Sequence, residues 1–196
     1  VSNYKSSPQI ELQSLIELNS ELPLIKITET SSEFLIPRLS LRLNPGDMKD
    51  HSSSEREINM NNIFDINRLG LDDSFESGNS LTLGIDYKKE NEENYLEIQL
   101  ATVFRNDIES NIPSQTTLNK KNSNLFGEID YRIFELLNLN YNFSIDNKIE
   151  NFEYNSIGIG LSLNNFVTNF NFIEEDSILG NTNVFENISE YKFNKE

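Results

Sequence analysis

The one histidine, His51, stands in a polar segment, Asp47 to Glu57, beside Ser52, Ser53 and Ser54. A histidine acts as a general base only when a nucleophile or a carboxylate is held against it in fixed geometry. A serine-rich loop supplies no such frame, so no catalytic residue is assigned and the chain is not read as an enzyme. Carboxylates occur in runs, Asp72-Asp73, Glu92-Glu93 and Glu174-Glu175-Asp176. Paired carboxylates can hold calcium, but the EF-hand spacing, with its central Gly and terminal Glu, is missing. The runs read as solvated loop charge, and no metal or cofactor is assigned. The alternative is that acidic loops share divalent cations with phosphates on lipid headgroups. Cysteine is absent, which removes disulfides, thiol nucleophiles and zinc fingers.

Cations are the scarcer charge. The 196 residues carry 16 Lys+Arg against 32 Asp+Glu, a formal net charge of -16. That balance excludes a nucleic-acid partner, whose phosphates demand a basic face. Arg38, Arg42, Lys88 and Arg132 fall on the polar side of alternating segments. The planar fork of arginine suits phosphate; pairing with Glu128, Asp130 and Asp86 is the competing use. A different arrangement occurs in the glycine-punctuated stretch from Asn62 to Asn79. There Arg68 is within reach of Asp65, Asp72 or Glu76, and such a pair would fold the loop back on itself before the next strand starts.

The elements that position these residues are strands. The composition has a single alanine, Ala101, and an excess of asparagine, a poor basis for helix. The asparagines fit A/T-rich codon usage as well as a structural role. Hydrophobicity alternates with period two. Leu35, Pro37, Leu39, Leu41 and Leu43 alternate with polar neighbours, as do Leu81 to Tyr87, Leu96 to Phe104, Ile129 to Ile133, Leu137 to Ile145, Ile157 to Leu163 and Phe166 to Phe172. A noisier segment, Ile10 to Ile27, precedes them, and a weak one, Val184 to Phe193, follows. Pro23 and Pro37 remove ladder donors, so bulges or irregularities are expected there.

The segments amount to about nine strands, most of them about nine to twelve residues long. Soluble strands average about five or six residues, whereas a tilted strand needs about nine to eleven to cross a bilayer. Short and long connections alternate: Asn44 to Asn79 and Asn106 to Asn124 are long, Glu90 to Asn94 and Asn164-Asn165 are short. Transmembrane barrels have this pattern, with short periplasmic turns and long extracellular loops. The expected fold is therefore all-β: an antiparallel up-and-down transmembrane β-barrel. The low mean hydropathy of -0.51 does not oppose this, because only one face of each strand must be apolar. Tyr87, Tyr95, Phe104, Phe126, Phe134 and Tyr154, near strand ends, are expected to form an aromatic girdle.

The stretch Asn62 to Asn79 and the strand after it resemble the lipopolysaccharide-assembly outer-membrane family LptD. Asn62, Phe64, Arg68, Gly70, Asp72, Glu76, Gly78, Asn79, Gly84 and Tyr87 match the family's pattern, and Asp73 stands where the family usually has Arg. Ile36-Pro37-Arg38 to Asn44-Pro45 resembles the family's Pro-Arg strand, and Leu22-Pro23-Leu24 the strand before it. The resemblance implies that residues 1–196 are an internal slice of the barrel domain, without the family's signal peptide and periplasmic jellyroll. It further implies outer-membrane transport of lipopolysaccharide (LPS). The sugar would pass through a wet lumen and the acyl chains through a lateral opening, with an LptE-type plug lipoprotein and a periplasmic LPS-transport bridge as partners. Two other functions fit the strand pattern: a porin-like passive channel or small outer-membrane barrel, and a soluble carbohydrate-binding β-sandwich.

Overall fold

Alternating side chains that leave one face apolar and the other polar favour pairing into a sheet, and every long segment does pair. The computed structural model describes residues 13–176 and 180–193; the expected start of the first strand, at Ile10, lies outside the described residues. Ten strands form one sheet: β1 (Ile16–Glu21), β2 (Leu24–Ile27), β3 (Ser31–Asn44), β4 (Gly78–Asn91), β5 (Asn94–Arg105), β6 (Leu125–Ile133), β7 (Leu137–Ile145), β8 (Phe152–Leu163), β9 (Phe166–Glu175) and β10 (Thr182–Tyr191). All pairings are antiparallel between sequence neighbours, except that β1 and β2 both lie along β3. The sheet is open: no described strand lies beyond β1 and β2 at one edge or beyond β10 at the other. It is an up-and-down arc of a larger barrel. There is no second sheet among the described residues to make a sandwich.

The count is ten and not nine because Leu22-Pro23 interrupts the first strand. The register does not slip there, since Glu21 faces Arg38 and Leu24 faces Leu35. The expected irregularity at Pro37 does not occur. Pro37 pairs with Ile85 in an unbroken β3–β4 ladder, and its carbonyl accepts from Leu22 N–H at 3.1 Å. Its missing donor faces the gap between β1 and β2, where a ladder bond is already lost. The one register shift lies between Ser144 and Ile145 on β7.

The two faces are inverted relative to a soluble sheet. Leu39, Leu41, Leu43, Leu83 and Ile85 share the outer face and are exposed, while Ser40, Arg42, Asn44, Ser80 and Thr82 on the inner face are buried. What buries them is the chain's own connections. Residues 45–77 and 106–124 fold over the inner face at the β3–β6 side and form a small core with it. The first connection contributes Met48, Ile58, Met60, Ile63, Leu69 and Leu71, the second Ile112 and Leu118, and the sheet Ala101, Val103 and Phe126. Full burial of side chains such as Ile63, Ile112 and Leu118 is worth about 1.5–3 kcal/mol each. A polar connection with this much buried apolar area is a plug and not a mobile loop.

The expected aromatic girdle is only partly placed. Tyr87 and Phe104 share the outer face with Leu35 and Leu81, and Phe134 sits exposed in a turn at φ 47°. Three others are corrected. Phe126 is buried in the inner core, Tyr154 faces inward beside Ser144 and Glu175, and Tyr95 turns inward to Arg132, Lys88 and Glu97. Being near a strand end left their face undetermined; strand parity decides it.

Candidate functional site

The best-built polar site lies where the first connection meets the inner face of β3–β5. Gly70 at φ 58° and Gly78 at φ 77° occupy left-handed positions that side chains strain to adopt. Between them the chain brings Glu76 under the sheet, 3% exposed. Arg68 grips this carboxylate with both arms of its fork, Nε to Oε2 and Nη2 to Oε1, each at 2.6 Å. Arg42 of β3 donates to Oε2 at 3.1 Å, and Arg105 of β5 donates to Oε1. Arg68 goes on to Thr82 Oγ1 (2.9 Å) and Ser80 Oγ (3.0 Å) on β4. Arg42 reaches Glu17 of β1 at 2.7 Å and the carbonyl of Asp65. Asn44 Nδ2 donates to the Glu76 carbonyl at 2.9 Å, and Arg105 Nη2 to that of Ser77 at 2.5 Å.

Electrostatics follow from the count of guanidiniums. Burial alone would push the Glu76 carboxyl up; Arg68, Arg105 and Arg42 outweigh it and hold it at about 2. Glu76 is ionised at any ordinary pH. A carboxylate with three buried arginines ties one loop to four strands, and removing any one partner strands a buried charge.

Of the two partners open to Arg68 besides Glu76, neither is used. Asp65 offers only its carbonyl, to Arg42, and Asp72 is exposed. Phe64 closes the same seam. Its ring covers Gly84 so tightly that a Cβ there would lie 2.7 Å from Phe64 Cζ, and the Arg38 guanidinium sits 4.0 Å from the ring centroid. Asn62 tightens its own turn, accepting from Asn59 N–H and donating to the Glu57 carbonyl, each at 3.0 Å. Asn79 pairs opposite Leu43, one residue after β4 begins, and its carbonyl accepts from Asn106 N–H. Asp73 pairs with Lys49 at 3.3 Å, and His51 Nε2 lies 3.0 Å from its Oδ1. Against the desolvation that raises it, the Lys49 ammonium holds the Asp73 carboxyl below its ordinary range.

The four cations singled out on the polar face all point inward, but three are paired differently from expectation. Arg38 meets Glu21 (3.0 Å) and, as anticipated, Asp86 (3.6 Å). Arg42 belongs to the Glu76 site. Lys88 pairs with Glu97 at 3.4 Å, and Arg132 stacks 4.1 Å from the Tyr95 ring centroid. Glu128 and Asp130 accept from Asn140 instead, at 3.1 and 2.8 Å. Sequence reasoning missed Arg105 and Glu17. Strand parity marks Arg105 as inward at the loop end of β5, but Glu17 is brought opposite Arg42 only by the β1–β3 register, which the structure supplies.

Among the described residues no three His, Asp or Glu side chains converge as a metal site, and no helix is long and apolar enough to cross a membrane. A family model described as LPS transport system D, LptD, matches residues 5–194, nearly the whole chain. The chain belongs to the LptD family. No curated protein matches it. LptD proteins are outer-membrane components of LPS transport and not an enzyme family. The loop that carries the family resemblance is the loop that builds the Glu76 site.

Proposed function

We propose that the chain is part of a barrel that passes LPS to the outer leaflet of the outer membrane. The observation that carries this reading is the inverted sheet in a chain of the LptD family: a bare apolar outer face suited to lipid, and a polar inner face suited to sugar. In this reading residues 1–196 are a segment of the barrel domain, and the open edges receive its other strands. The partners are an LptE-type plug lipoprotein inside the barrel and a periplasmic bridge that delivers LPS through another domain. The docked connections work against the porin-like alternative, because they fill the lumen beside β3–β5 where a passive pore needs open space.

The test uses the full-length protein in cells whose own copy is depleted. Surface LPS should fall on depletion and recover with the intact gene. Unchanged surface LPS on depletion, or recovery only of small-solute permeability, would contradict the proposal.

A further inference from the structure

The inner wall opposite the plug has a different chemistry. Strands β7 to β10 contain no Lys or Arg. Their inner face instead presents asparagines around a glycine floor. Asn138 and Asn140 on β7 and Asn169 and Asn171 on β9 flank Gly158 and Gly160 on β8, and together they line a groove of about 240 Å³. The glycines give the amides room. A Cβ on Gly158 would lie 3.3 Å from Asn171 Oδ1, and one on Gly160 would lie 3.1 Å from Asn169 Oδ1. Asn140 is held by Glu128 and Asp130, and Asn171 by Glu186 at 3.3 Å. The side chains of Asn138 and Asn169 bond no described residue and stand free in the groove.

An amide offers two donors and an acceptor on one short stem, the complement of a sugar hydroxyl, which both donates and accepts. Phosphate needs cations or a charged fork, and none lines the groove; the inward cation at its rim, Arg132 opposite Asn138, is stacked on the Tyr95 ring. On the plug side Arg38, Arg42, Arg68, Arg105 and Lys88 are already matched by carboxylates.

We infer that the β7–β9 groove is a binding subsite for the uncharged, hydroxyl-bearing saccharide of the transported glycolipid, read through Asn138 and Asn169 and not through its phosphates. The inference rests on the transport reading above and adds which wall the sugar follows. Shallow, neutral hydrogen bonding of this kind lets a long glycan slide, where an arginine wall would hold it.

The experiment places a photocrosslinking amino acid at Asn140, at Asn169 or, as a control under the plug, at Ser40, in the full-length protein during LPS export. Crosslinks to saccharide are expected at 140 and 169, at least ten-fold above those at 40. A phosphate-free core oligosaccharide should compete with them as well as the phosphorylated form does. Equal crosslinking at all three positions, none at 140 and 169, or competition that requires phosphate overturns the inference. In parallel, the folded double variant Asn138→Leu/Asn169→Leu should export LPS about ten-fold more slowly, and export at the unmodified rate also overturns it. If depletion of the protein leaves surface LPS unchanged, the transport reading fails first and takes the inference with it.

Discussion

The two halves of the inner wall solve the same problem in opposite ways. On the β3–β5 side, charged groups are met by charged partners: under residues 45–77 Glu76 by three arginines and Arg42 also by Glu17, and at a more open position Arg38 by Asp86 and Glu21. On the β7–β9 side, the groove at Asn138, Asn140, Asn169 and Asn171 is lined by no residue of either connection, and its groups are neutral amides over glycine. Buried charge requires partners; exposed amides do not. The first half is built to hold still, the second to stay wet and accessible.

Breaking the first half should give the largest effects. Glu76→Ala leaves three buried guanidiniums around an empty centre, and loss of one partner from a buried ion pair costs about 3–5 kcal/mol. The expected outcome is release of residues 45–77, measured as protease cleavage of that segment in the folded barrel. Retained resistance would reduce the site to a bystander. On the outer face, Ile159→Lys should destabilise the barrel by about 2–4 kcal/mol if the residue sits near the bilayer midplane. Asn138→Lys, on the inner face one strand away, should be close to neutral, and reversible unfolding into lipid distinguishes the two. Gly84→Ala drives a methyl against the Phe64 ring and should cost about 1–3 kcal/mol, with loosening of the plug but no change in the β7–β9 groove.

The pH response separates the halves more gently. The folded Glu76 carboxyl is depressed from its ordinary 4.5 to about 2. Its contribution, about 3 kcal/mol by linkage, is therefore complete above pH 4.5 and lost as pH falls toward 2. Plug docking should be constant from pH 8 to 5 and weaken only below that, read by the same cleavage. The smallest effect belongs to the surface: Lys49→Ala removes an exposed partner of Asp73, and exposed pairs contribute little, so cleavage should not change.

The sequence pattern and the structure agree most where the physics is local. Period two assigned the outer face of β3 to β9 correctly, because strand parity follows from neighbours two residues apart. Arg68 was recognisable as a cation that would fold the loop back, eight residues from Glu76. The rest required contacts between distant segments. Arg105 is 29 residues from Glu76 and Glu17 is 25 from Arg42, so neither pairing has a spacing to betray it. The apolar residues of the plug, such as Met60, Ile63 and Leu71, have no strand period and sit among charges, which made the loop look solvated. Phe126 and Tyr154 were assigned to the membrane interface by residue type, when their inward parity already placed them against the plug.

The central claim is that the apolar face meets lipid and the polar face encloses the lumen. The chain contains no cysteine, so single cysteines introduced into it report their own positions. In the full-length protein in intact membranes, cysteines at Leu83, Leu139 and Ile159 should react with a membrane-soluble thiol reagent and resist a charged maleimide. Cysteines at Asn138 and Asn169 should do the reverse, and one at Thr82 should resist both until the plug is released. Charged-reagent labelling of Leu83, Leu139 and Ile159 with protection of Asn138 and Asn169 would contradict the account outright.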